Sequence, residues 1–349
     1  AKMYTDPTKS FDENVNAYLE KTLGTLTLVD AMKQEMPDTE FTYHIGTWNV
    51  DNWAELIEEA KEVAKDADAV ILAVGEITAT GGKDTTSGEG VNHPNLELPH
   101  HQDELVRAIG SIGKPTSMVI FNGRALALAS VEKSVGAIVD AWYPGPSGAL
   151  PVARVLAGKV NPSGHLPVTF PQYSEQCPIY YGTKTGSGYL DMYQRPLSTV
   201  LQPLYPFGHG LSYTTFKLSN LKNDASVETG AKFKVSVDIE NTGDVAGEDV
   251  VQIYTHSIKP TINRPIKELR GFKKVFLEPG QKKTVEFTFD TRNFGYYNKN
   301  YEFVIEPRPQ EIFACYDSST IAEKGLIEFT GEVKEILHDR VFNFEAVEK

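Results

Sequence analysis

Residues 75–90 read Gly-Glu-Ile-Thr-Ala-Thr-Gly-Gly-Lys-Asp-Thr-Thr-Ser-Gly-Glu-Gly, so three carboxylates, Glu76, Asp84 and Glu89, are spaced among glycines in one polar stretch. A carboxyl on such a loop can give or take a proton over a bound molecule, because glycine lets the backbone fold back sharply. A solvated surface loop is the plain alternative that composition allows. The glycines do not make a phosphate cradle, which needs Gly, four spacers, Gly-Lys and then Ser or Thr. Here Gly82-Lys83 is followed by Asp84, and Ile77 stands where the first glycine would be. A Gly-x-Ser-x-Gly nucleophile elbow is also missing, since Gly145-Pro146-Ser147-Gly148 lacks the spacing.

Such a loop needs a frame, and the flanking sequence predicts a layered α/β one. Trp53, Leu56, Ile57, Ala60, Val63 and Ala64 recur on one helical face with Asp51 as the expected cap, and the apolar run 69–74 follows. Unbroken apolar runs of this length suit strands buried on both faces of a parallel sheet. The rhythm repeats with a helix near 101–112, strands near 117–121 and 137–142, and a helix over 147–157. Ligands of such sheets sit beyond the carboxyl ends of the strands, which points to the segments after Val74, Phe121 and Trp142. From Pro203 the texture changes to short alternating strands, such as 232–239, 250–254 and 284–289, separated by Asn241-Thr242-Gly243-Asp244 and Glu278-Pro279-Gly280 turns. The expected fold is therefore an α/β sandwich domain over 1–200, a connecting segment over 201–213, and an all-β sandwich of fibronectin type III style over 214–349. Residues 321–349 are expected to add a strand through Phe342, Phe344 and Val347.

Composition narrows the partners. With 34 Lys plus Arg against 47 Asp plus Glu, the 349-residue chain carries a formal charge of −13, which disfavours nucleic acid and anionic membranes. Cys177 and Cys315 form neither a disulfide framework nor a zinc pattern and read as isolated buried thiols. No apolar run approaches the ~18 residues of a membrane span. A soluble chain is expected, with secretion or a periplasmic location left open.

Two further segments, 160–171 (Val-Asn-Pro-Ser-Gly-His-Leu-Pro-Val-Thr-Phe-Pro) and 205–216 (Tyr-Pro-Phe-Gly-His-Gly-Leu-Ser-Tyr-Thr-Thr-Phe), together resemble the C-terminal half of the family 3 glycoside hydrolases, the β-glucosidase group. The likeness extends through Ala67 to Gly75, Leu96-Glu97-Leu98-Pro99 to Gln102, Trp142-Tyr143-Pro144-Gly145 and Arg264 to Phe272, in the family's order. His165 stands where Arg is common and His209 where Tyr is common. In two-domain members a loop of the α/β sandwich reaches over a preceding (β/α)8 barrel, and its Ser-Gly-Glu-Gly element supplies the general acid/base. That element is similar to Ser87-Gly88-Glu89-Gly90, so the resemblance implies Glu89 as acid/base, with Asp84 and Glu76 as alternative acids. The family's nucleophile is an Asp in a Ser/Thr-Asp-Trp element late in the barrel, and no such tripeptide occurs in this sequence. The resemblance thus implies a retaining, exo-acting β-glucosidase whose nucleophile comes from a barrel domain outside this sequence, acting on terminal β-D-glucosyl residues. On that expectation the chain is inactive without the barrel.

Two other functions remain at this level: a noncatalytic carbohydrate-binding or scaffold module, and a related β-xylosidase or other β-glycosidase. Asn122-Gly123-Arg124 and Asp140 end strands and either line a cleft or brace the loop. Trp142, Tyr143, Tyr189 and Tyr193 either stack on sugar or pack an interface. His100 and His101 are adjacent and cannot both face one point on a helix, and no acidic ligand spacing surrounds them, so neither metal nor cofactor is expected.

Overall fold

Apolar runs without alternation become parallel strands, and alternating runs become antiparallel ones, in two separate compact units. The computed structural model describes residues 8, 17, 24–47, 50–78, 85–88, 90–184 and 202–349. One unit comprises Ala1–Val160 with Pro171–Cys177, the other Asn161–Phe170 with Pro178–Lys349. The boundaries at 200 and 214 remain our proposed division into family domains, since compactness groups 161–170 and 178–213 with the later strands.

The described elements of the first unit are, in chain order, α1 (Leu28–Glu35), α2 (Trp53–Lys65), β1 (Val70–Gly75), β2 (Ser87–Gly88), β3 (Val91–Asn92), α3 (Gln102–Gly110), β4 (Thr116–Phe121), β5 (Ala137–Asp140) and α4 (Ala149–Leu156). Strands β1, β4 and β5 form a parallel sheet in that order, with Val74 beside Ile120 and Ile120 beside Asp140. Met118, Val119 and Ile120 of the central strand are fully buried, as a strand covered on both faces requires. Helix α2 buries Ile57, Ala60 and Ala64 as its periodicity predicts, but its cap is Asn52 rather than Asp51, and no side-chain cap bond forms. Strand β5 stops two residues short of the expected Trp142, whose backbone turns left-handed (φ +50°) and leaves the sheet. Helices α1 and α4 pack through Ala31, Met32 and Ala153, and Glu35 bridges Arg154 and Lys159 at 3.2 and 3.0 Å.

The second unit is the β-sandwich. Its strands are β6 (Phe216–Asn223), β7 (Ser226–Glu228), β8 (Lys232–Asn241), β9 (Gly247–Ser257), β10 (Glu268–Leu277), β11 (Lys282–Asp290), β12 (Tyr296–Tyr297), β13 (Phe303–Ile305), β14 (Pro309–Cys315), β15 (Ile321–Thr330), β16 (Lys334–Glu335) and β17 (Glu345–Glu348). A five-stranded sheet in the order β10-β9-β14-β15-β7 and a four-stranded sheet in the order β17-β11-β8-β6 account for most of them. Phe233, Val235, Val237 and Ile239 of β8 and Val285, Phe287 and Phe289 of β11 point inward at period two and are buried. The tail supplies β15, beside β14, and β17, beside β11; of the three expected strand residues only Val347 lies in β17, Phe344 packs at a tilt against Phe287 and Phe289, and Phe342 is exposed. Cys315 is buried as expected, but Cys177 is exposed.

The segments 161–170 and 205–213 owe their composition to one another. Asn161 donates to Ala246 O (3.1 Å) and accepts from Ser212 Oγ and Tyr213 N (both 2.8 Å). His165 faces two acceptors, Gly208 O at 2.6 Å from Nδ1 and Asp249 Oδ1 at 2.9 Å from Nε2. Burial opposes its charge, but these two partners outweigh burial and raise its pKa. Leu166 N donates to His209 O, and Gly208 N donates back to Leu166 O.

Candidate active site

At the carboxyl edge of the parallel sheet the backbone permits only particular residues. Gly75 ends β1 with φ +139°, and a Cβ there would sit 2.0 Å from Phe121 O. Its amide donates to Gln102 Oε1 (2.7 Å) and its carbonyl accepts from Gln102 Nε2 (3.0 Å), which ties the strand end to the first residue of α3.

Glu76, the next residue, turns inward. Its side chain is 1% exposed; Oε1 accepts from Arg124 Nε at 2.7 Å, and Oε2 faces Gly123 N at 3.4 Å. Arg124 Nη1 donates to His93 O (2.5 Å) and Nη2 to Asn95 O (3.3 Å). One guanidinium thereby joins residue 76, where the acidic stretch begins, to residues 93–95, just after it ends. A carboxylate so enclosed, its side chain almost wholly buried, is a brace in this geometry.

Between those ends the chain returns on itself. Thr86 N donates to Ile77 O (2.9 Å), Ile77 N donates to Thr86 Oγ1 (3.0 Å), and β2 pairs with β3 through Ser87 beside Asn92 and Gly88 beside Val91. Gly88 and Gly90 hold positive φ, the freedom expected of glycine in this stretch. Ser87 Oγ lies 3.1 Å from Tyr143 OH, and the Tyr143 ring lies so close over Gly123 that a Cβ there would meet it at 2.6 Å. Glu89, between the two short strands in sequence, and Asp84 lie outside the described residues, as do Tyr189 and Tyr193. A polar cavity of about 310 Å³ adjoins the hairpin, lined by Glu76, Thr86, His93, Asn95, Glu97 and Arg124 among others.

Asp140, at the end of β5, is the most perturbed carboxyl of this edge. Burial pushes its pKa up to about 6, against the opposing pull of the Trp142 amide, which donates to Oδ1 at 3.2 Å, and of Asn122. The adjacent histidines play structural parts here: both have positive φ, and His101 stacks on Trp53 with ring centroids 4.0 Å apart. The loop's contacts with Tyr143 and Arg124 escaped sequence reading, and only the strand-end positions of those residues hinted at them.

The ion pair makes a testable claim. Arg124→Met should destabilise the first unit by about 3 kcal/mol, because it strands a buried carboxylate, and adding Glu76→Gln should restore part of the loss. Urea unfolding of the three variants measures this; an Arg124→Met cost within about 0.5 kcal/mol of zero would contradict the brace.

With this geometry in view, comparison with known proteins is specific. A model described as "Glycosyl hydrolase family 3 C-terminal domain" matches residues 5–213, and a "Fibronectin type III-like domain" matches residues 249–318. The chain is 36% identical over 275 residues to the periplasmic beta-glucosidase of Salmonella typhimurium, covering 77% of this chain and 35% of that protein. It is also 36% identical over 287 residues to a beta-xylosidase of Formosa agariphila, covering 81% and 38%. Among solved structures, a β-glucosidase from Erythrobacter marinus superposes with a TM-score of 0.78 at 32% identity, covering 87% of this chain and 43% of that one. The β-glucosidase of Listeria innocua in complex with glucose gives 0.73 at 32% identity, covering 80% and 39%. The chain spans between a third and two fifths of the length of these two curated relatives.

Proposed function

The chain belongs to glycoside hydrolase family 3, and on that premise we propose that it is the acid/base-bearing half of a retaining, exo-acting β-glucosidase. Glu89 is the acid/base, and a (β/α)8 barrel domain outside this sequence supplies the nucleophilic Asp. The observation that carries the reading is the anchored hairpin. The Ser-Gly-Glu-Gly element begins on β2, at the carboxyl edge of the sheet, with Ser87 on Tyr143 and the flanks of the stretch gathered by Arg124. Proton transfer to a departing oxygen requires a carboxyl held in place, and side chains fixed by their neighbours provide that.

In the proposed cycle protonated Glu89 donates to the glycosidic oxygen as the barrel Asp attacks the anomeric carbon, giving a glycosyl-enzyme. Glu89 carboxylate then takes a proton from the water that releases the sugar. Asp84 is the remaining alternative acid in the stretch, while the enclosed position of Glu76 supports a bracing role for that residue. A glucoside is favoured over a xyloside by the similarity to solved β-glucosidases, although curated relatives include enzymes named beta-xylosidases. A noncatalytic module is the competing account. Proton NMR of the assembled enzyme should show β-glucose as the first-formed anomer from an aryl β-glucoside. The α-anomer appearing first would overturn retention, and no turnover at all would favour the noncatalytic module.

A further inference from the structure

His165, its side chain mostly buried, sits between two acceptors supplied by different parts of the second unit. Gly208 O lies 2.6 Å from Nδ1, and Asp249 Oδ1 of β9 lies 2.9 Å from Nε2. A neutral imidazole carries one N–H and can serve only one of them. Gln252 Nε2 also approaches Nδ1, at 3.3 Å, but its two hydrogens are matched by closer acceptors, Gly208 O at 3.0 Å and Tyr316 O at 2.7 Å. Its oxygen accepts from Tyr254 OH at 2.8 Å, which fixes the orientation of the amide. Both ring nitrogens are therefore donors, and the ring is an imidazolium.

The turn that meets the ring is shaped to fit it. Gly208 has φ +82°, and a Cβ there would lie 2.3 Å from Gln252 Oε1, while a Cβ at Gly210 would lie 2.4 Å from Gly164 O and 3.2 Å from the His165 ring. Leu166 N donates to His209 O and Gly208 N donates to Leu166 O, both at 2.8 Å, so the backbones of the two segments pair next to the imidazole. The chain enters residues 161–170 from the first unit and returns to it after Phe170, yet these residues group with the second unit. Such a stretch is held by its contacts rather than by its neighbours in sequence.

We propose that His165 is a pH-operated latch: its imidazolium ties the 161–170 stretch to the 205–210 turn and to β9, and loss of one proton releases one of the two ties. If Nε2 loses its hydrogen, a lone pair faces the Asp249 carboxylate, and Oδ1 retains the neighbouring Val250 amide. If Nδ1 loses its hydrogen, Gly208 O is left to the Gln252 amide. Charge-assisted hydrogen bonds are the strong ones, so either loss loosens the stretch. The charged groups around the ring are Asp249 and Glu248 of β9 and Lys274 of β10, the last 4.0 Å from Glu248 and bonded to Ser163 Oγ at 2.9 Å. Within the turn, His209 lies 3.6 Å from Asp317. Burial and Lys274 oppose the charge on His165, Asp249 and Gly208 O favour it, and the balance raises the pKa. A histidine whose folded pKa exceeds its unfolded value of about 6.5 contributes its full stabilisation below that value and loses it as pH rises through the folded one. The latch lies within the second unit and rests on no assignment of the acid/base.

Hydrogen exchange of this chain, read by mass spectrometry on peptides covering residues 161–170 and 205–213 and corrected for the intrinsic rate, tests the latch. Wild-type protection should fall about tenfold between about pH 6 and about pH 9, the size of one charge-assisted hydrogen bond. His165→Gln, which carries no titratable charge, should be weakly protected at every pH. Asp249→Asn offers an amide that donates to a neutral Nε2 as readily as its oxygen accepts from a protonated one, so its protection should change little with pH. By NMR the titration midpoint of the His165 ring in the folded wild type should lie above that in the urea-unfolded chain, and Asp249→Asn should lower it. Three results would each overturn the proposal: wild-type protection unchanged across this range, a folded midpoint at or below the unfolded one, or His165→Gln that keeps the wild-type pH response and so assigns it to His209.

Discussion

Glu89→Gln in the assembled enzyme is expected to slow the first step by ~10²- to 10⁴-fold on alkyl β-glucosides and to spare aryl β-glucosides with strongly acidic leaving groups. Gln keeps the side chain's shape but has no proton to give, so the defect should shrink as the leaving group needs that proton less. The second step should be slow for every substrate, because water loses its general base. Activated substrates should therefore show a burst followed by a slow steady state, and KM should fall as the glycosyl-enzyme accumulates. Asp84→Asn serves as the control within the same stretch and should leave the dependence on leaving group unchanged. A uniform loss across all substrates after Glu89→Gln, with the leaving-group signature appearing in Asp84→Asn, would transfer the acid role to Asp84.

The second large effect concerns assembly. This chain alone should release no measurable aryl β-glucoside product, and joining it to a barrel half with an intact nucleophilic Asp should restore turnover. A retaining mechanism needs two carboxyls about 5 to 5.5 Å apart, one attacking while the other protonates. The two also tune each other, since an anionic nucleophile nearby helps the acid keep its proton near neutral pH. Removing one half therefore removes a reactant and the electrostatic setting of the other. Native-like turnover by the isolated chain, free of contaminating enzyme, would contradict the division of labour between the halves.

The elements of this fold were legible wherever one physical signal dominated. Unbroken apolar runs at 69–74 and 117–121 marked parallel strands, of which only the central one is buried on both faces while β1 leaves Ile71 and Ala73 exposed, and Phe233, Val235 and Val237 marked one face of a sandwich strand by alternation. The Gly-rich stretch announced a backbone with positive φ, and Gly88 and Gly90 have it. Long-range pairing was not legible in the same way. Nothing local to Glu76 shows that Arg124 will enclose it, so a carboxylate in the right stretch stood as an alternative acid until its partner was known. Tyr143 read as a sugar-stacking or interface aromatic, yet its hydroxyl meets Ser87 from a distant part of the chain. The early end of β5 arises from a left-handed Trp142 held by Asp140, a strained conformation that residue type alone argues against. The cap of α2 moved by one residue, from Asp51 to Asn52, within the ordinary uncertainty of helix ends.

The most direct test of Glu89 as acid/base is the product formed when azide is added to the assembled Glu89→Gln enzyme turning over a dinitrophenyl β-glucoside. Azide needs no general base, so it should attack the accumulated glycosyl-enzyme, accelerate turnover and yield β-glucosyl azide by proton NMR. Wild-type enzyme, which activates water efficiently, should show little acceleration. Absence of both the acceleration and the β-azide in Glu89→Gln, with both appearing in Asp84→Asn instead, would contradict the assignment of the acid/base to Glu89.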